Sequence, residues 1–266
     1  MLWNPMGRKL TDGEFYTLNK DGRIVLRDLK KENETFSVTE YYGGKFDSYN
    51  FLYYENFNFY EWGSNGSDYE RYGCQIDYGV KVLDFGANIG AFARYARMKG
   101  AREVHCFEPM TPTFECLQLN TAGDPNTHIY NIGVSDRTGT ATFEIHTDFT
   151  HNGGGSMVGF ASNSLDIHHS QTSVLLGIAE IFESKKWEDA EFLKIDIEGA
   201  EQIVLEAIPD KALRSLAYIS GEFHSHSPEF DIWQQNFIQK CADFGFESFV
   251  HYHGNGQLRT INLWKK

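Results

Sequence analysis

At 266 residues with 41% hydrophobic side chains, the chain suits one large domain, or one domain with an added subdomain, and can bury an ample core. No apolar run approaches the roughly 18 residues of a membrane span, and residues 1–10 lack the apolar stretch of a signal peptide, so no membrane partner and a cytoplasmic location are expected. A formal net charge of −13 argues against a broad nucleic-acid surface, which has to neutralise phosphates, and leaves room only for a local basic groove.

Residues 1–69 read as a β-rich or mixed N-terminal cap, and residues 70–266 as the main domain. Asp21-Gly22 is a hairpin-type turn between residues 15–19 and 23–27, where Ile24 and Leu26 alternate with charged residues. An aromatic-dense stretch runs from Tyr41 to Trp62. Its rings are either the core of the cap, the simpler reading, or in part the wall of an acceptor pocket, since flat apolar rings stack on sugar faces. Residues 64–67 read as a loop and residues 68–78 as a short helix, with Glu70 either within reach of the cofactor or, the simpler reading, an exposed acid on that helix.

Residues 80–90 organise the rest. Val80, Val82 and Leu83 end a buried strand, Asp84 sits at its tip, and Gly86 and Gly90 bracket a tight turn into a helix starting near Ile89. Turns that hold pyrophosphate are spaced G-x-G-x-x-G; here the spacing is G-x-x-x-G. A carboxylate two residues before the first glycine would also repel a phosphate at close range. S-adenosylmethionine is cationic and carries no phosphate, so for that ligand Asp84 is an asset. Residues 103–109 form the next strand and end in Glu108-Pro109, 24 residues beyond Asp84, where an acid accepts hydrogen bonds from ribose hydroxyls. Either acid alone is a common exposed strand end; the two flanking a glycine turn point to a cofactor site.

Further on, Thr111-Pro112 starts a second helix running towards Gly123. Residues 128–134 read as a third strand whose Asn131, Ile132 and Gly133 face the adenine. Residues 139–146 alternate as a strand, suggesting an antiparallel insertion from 136 to about 157 with a glycine-rich loop at 151–156, either a flap over the acceptor or a plain connector. Residues 174–183 are apolar at helical spacing. Residues 192–201 form a buried strand ending in Asp196, Glu198 and a glycine turn, with a helix to the stop at Pro209. Residues 216–224 are a fifth strand ending Gly221-Glu222-Phe223-His224. A helix starts at Ser227-Pro228, and residues 246–252 and 258–264 close the chain as a hairpin. The four cysteines (Cys74, Cys106, Cys116, Cys241) show no metal spacing and read as free thiols.

Leu83-Asp84-Phe85-Gly86-Ala87-Asn88-Ile89-Gly90, Phe107-Glu108-Pro109 and Lys194-Ile195-Asp196-Ile197-Glu198-Gly199-Ala200-Glu201, in that order, resemble the FkbM family of methyltransferases over about residues 70–225. Residues 131–136 also match, although the family more often has alanine where Gly133 stands. The resemblance implies an α/β class I methyltransferase fold, Rossmann-like, with seven strands of which the last is antiparallel, in agreement with the terminal hairpin. It also implies S-adenosylmethionine-dependent O-methylation of a hydroxyl on a sugar, glycan or glycosylated small molecule. The cofactor set expected on these segments is Asp84, Gly86, Ala87, Asn88, Gly90, Glu108, Pro109, Asn131, Ile132, Gly133 and Asp196.

Methyl transfer to oxygen is an in-line displacement that needs alignment and a base or a metal. Candidates belong at the carboxyl ends of the strands, where Asp196, Glu198, Glu222 and His224 qualify. His224 or Glu198 is expected as the base, with Asp196 and Glu222 orienting the acceptor or holding a divalent metal. Lys194 is expected in a structural buried pair with one of these acids. Three rivals stand beside this reading: a nicotinamide-dependent oxidoreductase, a nucleic-acid methyltransferase, and a non-catalytic module that keeps the cofactor pocket. The chain has no N-P-P-Y or D-P-P-Y tetrapeptide, which counts against base N-methylation.

Overall fold

Strands covered by helices on both faces are buried along their whole length, and β3 (Lys81–Phe85) is such a strand, buried at every position although it carries Lys81 and Asp84 among its apolar residues. In this computed structural model, residues 14–18, 24–28, 69–146, 167–224, 228–253 and 258–266 are described. β3 pairs in parallel with β4 (Glu103–Phe107) on one side and β9 (Phe192–Ile195) on the other. β4 continues to β5 (Thr127–Tyr130), and β9 to β10 (Tyr218–His224), again in parallel. β12 (Leu258–Lys265) runs antiparallel to β10 and pairs with β11 (Phe246–His253), so the terminal hairpin closes the sheet. Numbered along the chain, the seven strands lie in the order 3-2-1-4-5-7-6 from the β5 edge.

Alternation along each strand feeds two apolar layers. Val82, Val104 and Phe192 face α1 (Ala91–Lys99) and α2 (Thr111–Asn120), packing with Phe92, Ala96 and Leu117. Leu83, Phe85, Leu193 and Ile195 face the other way, onto α3 (Ile178–Glu183), α4 (Glu201–Glu206), α5 (Asp210–Ser215) and α6 (Glu229–Asp243). The strand order reverses between β3 and β9, which is where open α/β sheets bind ligands. All four cysteines are buried and free, and no helix among the described residues is long and apolar enough to cross a membrane.

Several boundaries differ from the sequence reading. The third strand stops at Tyr130: the chain leaves the sheet at Asn131, whose amide binds the carbonyls of Glu108 and Pro109, and resumes as β6 (Gly133–Ser135) in a separate sheet. That three-stranded sheet, in the order β6-β8-β7, is the insertion. It is larger than residues 136–157 suggest, because β7 (Gly139–His146) pairs antiparallel with β8 (Ile167–Gly177). Val174 and Leu175 therefore belong to a strand, and the helix begins only at Ile178. Met110, not Thr111, caps α2, which ends at Asn120.

Residues 69–78 form turns and not a helix. Glu70 is buried there: it accepts the Ile76 N–H at 2.6 Å and the Tyr95 hydroxyl, and Lys99 lies 3.6 Å away. The expected hairpin pairs β1 (Glu14–Leu18) with β2 (Ile24–Asp28). Asn120 docks it on α2 by accepting the Tyr16 N–H and donating to the Tyr16 carbonyl. The Asp21-Gly22 turn, the aromatic stretch, residues 64–67 and the loop at 151–156 lie outside the described residues.

Candidate active site

A cleft opens at the carboxyl ends of β3, β4 and β9, the place where open α/β sheets bind ligands. One end is lined by Gly86, Asn88, Phe107, Glu108, Pro109 and Met110, with Gly133, Val134 and Phe143 from the added sheet. At the other end stand Asp196, Ile197, Glu198 and Ala200. The turn after β3 needs glycine at position 86: its φ is +77°, and a Cβ there would collide with the backbone carbonyl of Asp196. Asn88 follows in a left-handed conformation at φ 49° and presents its N–H to Glu108 Oε2 at 3.0 Å. Glu108 Oε1 accepts the Met110 N–H at 2.9 Å. Burial pushes the Glu108 carboxyl up to about 7, against the pull of those two N–H groups.

The Glu108–Pro109 bend is braced from outside. The Pro109 carbonyl accepts from Gln171 Nε2 (2.7 Å), Ser173 Oγ (2.9 Å) and Asn131 Nδ2 (3.1 Å). Asn131 is thus a brace and not a wall of the cleft. Ala87, Gly90 and Ile132 do not line it either; Gly90 caps α1 at φ 91°. Gln171, Ser173 and Phe143 are additions the sequence reading lacks, since only the fold brings the insertion to this bend.

Asp84 lies beneath the turn, outside the cleft wall and 0% exposed. Its register partner is Lys194, whose Nζ sits 3.4 Å from Asp84 Oδ1 and donates to the Gly86 carbonyl at 2.7 Å. Burial raises the Asp84 pKa, while the charge and hydrogen bonding of Lys194 oppose the rise. Lys194 thus makes its buried pair with Asp84 and not chiefly with one of the strand-end acids expected for it; of those, Asp196 Oδ2 lies 3.9 Å away. Asp196 does line the cleft. Tyr69 donates to its Oδ2 at 3.0 Å, while Oδ1 is buried with no hydrogen-bond partner among the described residues.

Beyond Asp196, His224 directs Nε2 at Glu198 Oε2 and Nδ1 at Glu201 Oε1, each at 3.3 Å. Glu201 is not among the residues singled out from sequence. The visible signal is an acid two residues after Gly199, in the first turn of a helix. Glu222 pairs across to Thr260 and does not line the cleft. Among the described residues, Asp196, Glu201 and His224 gather ligand-type atoms within 4.8 Å of one another, and Glu222 has no place in that group. The donors fit a metal poorly, because Glu201 already accepts from backbone N–H groups and both imidazole nitrogens face carboxylates. A second group, Glu103, His105 and His128, is similarly committed. Trp187 donates to His105 Nδ1 at 3.1 Å, leaving the proton on Nε2 towards Glu103, which Lys81 also approaches at 3.4 Å.

S-adenosylmethionine fits better. The Asp196 carboxylate oxygen that has no donor among the described residues suits its ammonium, the Glu108 carboxylate suits a ribose diol, and Phe107, Met110, Val134 and Phe143 offer an apolar slot for a purine. The strand order, the acid closing the second strand and the cleft at the switch point are those of a Rossmann-like α/β fold with a ligand site at the carboxyl ends of its strands. Residues 84–248 match the model of the methyltransferase FkbM domain, and the chain belongs to that family.

Two relatives are similar in sequence. The AMB antimetabolite synthetase AmbE of Pseudomonas aeruginosa is 28% identical over 59% of this chain, a match spanning 9% of that much longer protein. The 31-O-demethyl-FK506 methyltransferase FkbM of Streptomyces tacrolimicus is 26% identical, over 59% of this chain and 70% of its own length. Among solved structures, methyltransferase FkbM from Methylobacillus flagellatus KT overlaps at a TM-score of 0.45 and 15% identity, covering 70% of this chain and 43% of that one.

Proposed function

We propose that this protein methylates a hydroxyl of a sugar, glycan or glycosylated small molecule by direct in-line transfer from S-adenosylmethionine. The observation that carries the reading is one continuous cleft with Glu108 at one end and two acids, Asp196 and Glu198, at the other. The Streptomyces relative is a 31-O-demethyl-FK506 methyltransferase by name, which supports oxygen as the receiving atom. In this reading Glu108 accepts hydrogen bonds from the ribose hydroxyls, the apolar slot holds adenine, and Asp196 Oδ1, without a partner among the described residues, takes the ammonium.

When bound, the donor supplies a methyl group on a positively charged sulfur; the acceptor oxygen forms the new C–O bond, the sulfur keeps the electron pair of the bond that breaks, and the hydroxyl proton needs a base. The chain's own contribution is alignment, which in well-oriented systems supplies up to roughly 7–11 kcal/mol of the barrier, and an acidic acceptor end for the proton. No step is assigned to a metal, given how the candidate donors are already engaged.

The test is incubation with methyl-labelled S-adenosylmethionine and a panel of methyl glycosides, nucleotide sugars and glycosylated natural products. Label entering a hydroxyl acceptor as an alkali-stable ether is the expected result. Label confined to alkali-labile esters or to nitrogen would overturn the reading. Heat from NAD but not from S-adenosylhomocysteine in a calorimeter would favour the oxidoreductase alternative.

A further inference from the structure

The Glu201 carboxylate is wholly buried, and its surroundings organise the acceptor end of the cleft. Oε1 accepts the N–H groups of Ile197 and Gly199 at 3.0 Å each, and Oε2 is 3.1 Å from the Gly199 nitrogen and 3.5 Å from the His224 backbone nitrogen. One side chain thus ties the loop that carries Asp196 and Glu198 to the end of β10. The loop is held in a costly shape, with Glu198 at φ 55° and Gly199 at φ 102°. A left-handed glutamate persists only where its surroundings impose it.

His224 completes the arrangement. An imidazole with a carboxylate oxygen 3.3 Å from each nitrogen has to carry a proton on both, because a bare lone pair facing an anionic oxygen is repulsive. Burial would lower its pKa, but the hydrogen bond and charge of Glu201, with the charges of Glu198 and Asp196, outweigh that and raise it to about 10. Burial would likewise raise Glu201, yet His224 and the loop N–H groups hold it below the usual carboxylate range. A ring that already holds both protons has no site for another. Glu198, by contrast, lines the cleft.

We propose that Glu198 takes the acceptor's proton, and that His224 and Glu201 are positioning residues. Glu201 fixes the loop and the ring, and the His224 cation, 3.3 Å from Glu198 Oε2, holds that side chain at the cleft wall. This rests on the O-methyl reading. One hydroxyl proton is released per methyl transferred; it passes to the Glu198 carboxylate and then to solvent, which restores the ion pair with His224.

The experiment follows the ring nitrogens of His224 by NMR in the full-length protein from pH 5 to 10. In parallel, calorimetry compares sinefungin, which carries an amine where the methyl would be, with neutral S-adenosylhomocysteine. The expected result is that both ring nitrogens stay protonated past about pH 8, beyond the ordinary histidine range. Glu198→Gln and Glu201→Gln should each lower the midpoint by about one unit or more. Sinefungin should bind about tenfold tighter than S-adenosylhomocysteine, and Glu198→Gln should shrink that preference. Glu201→Gln removes an anchor of the fold, so Glu198→Gln, on the cleft wall, keeps the test decisive if the former does not fold. A His224 that loses a ring proton below about pH 7 would overturn the proposal, as would Glu198→Gln leaving both the midpoint and the sinefungin preference unchanged. If neither ligand binds, the methyltransfer reading fails by itself, while the titration still decides the His224 arrangement.

Discussion

Replacing Glu108 with Gln probes the cofactor end of the cleft through pH. In the ligand-free protein burial raises this carboxyl from 4.5 to about 7. A group whose folded pKa is raised costs stability as pH climbs from 4.5 through 7, here roughly 3 kcal/mol at 1.36 kcal/mol per unit. Ribose hydroxyls donating to the carboxylate favour the ionised form and draw that pKa back towards its ordinary value. Binding below pH 7 must therefore expel a proton. With a free-protein value of about 7 and an ordinary one in the complex, S-adenosylhomocysteine affinity should tighten by about twentyfold between pH 5.5 and 7.5. Glu108→Gln should abolish that dependence and weaken binding at pH 7.5 by about 10- to 150-fold, the worth of one charge-assisted hydrogen bond. Calorimetry in buffers of different ionisation enthalpy reads both the affinity and the proton released. A wild-type dissociation constant that is flat over this range, or a variant that binds as tightly as wild type at pH 7.5, would refute the placement of the ribose at Glu108.

Other outcomes follow from the same contacts. Lys194→Met strands the buried Asp84 carboxylate and should cost about 3–5 kcal/mol in urea unfolding; adding Asp84→Asn should recover much of it, and a loss below about 1 kcal/mol contradicts the pairing. Gly86→Ala meets the Asp196 carbonyl in a left-handed turn, so it should lose about 1–3 kcal/mol from backbone strain alone, with S-adenosylhomocysteine binding lost as well. The His224 pKa is raised to about 10, so its stabilisation is full below about pH 6.5 and disappears as pH rises through 10. The stability gap between wild type and His224→Gln should shrink across that window; a constant gap argues against the ion-paired ring. The double variant Gln171→Ala with Ser173→Ala, which removes two donors from the Pro109 carbonyl, should weaken S-adenosylhomocysteine binding about tenfold while leaving kcat for any acceptor nearly unchanged.

The central sheet was legible because its strands are short apolar runs ending at glycine turns, and the period of the pattern does not depend on distant residues. Gly86, Glu108, Asp196 and Glu198 were legible for the same reason: each ends a strand or turn, and the ends of parallel strands meet at one crevice. Asp84 was not. Its position at the strand tip looks the same whether it faces a ligand or a buried lysine, and only the β3–β9 register sets it against Lys194. Glu201 resembles any first-turn acid until the loop folds back to offer it the N–H groups of Ile197 and Gly199. Val174 and Leu175 carry helical spacing into Ile178, but strand pairing with β6 and β7 at Leu175 outweighs that local pattern. Phe143, Gln171 and Ser173 reach the site only through the added sheet, a long-range arrangement with no local signal.

A crystal structure with S-adenosylhomocysteine bound bears most directly on the central claim, that this cleft aligns a methyl donor with a hydroxyl acceptor. The ribose hydroxyls should lie within hydrogen-bond reach of Glu108, the amino group at Asp196, and the sulfur should turn towards Glu198. A ligand seated elsewhere, or one whose sulfur faces away from Glu198, would contradict it.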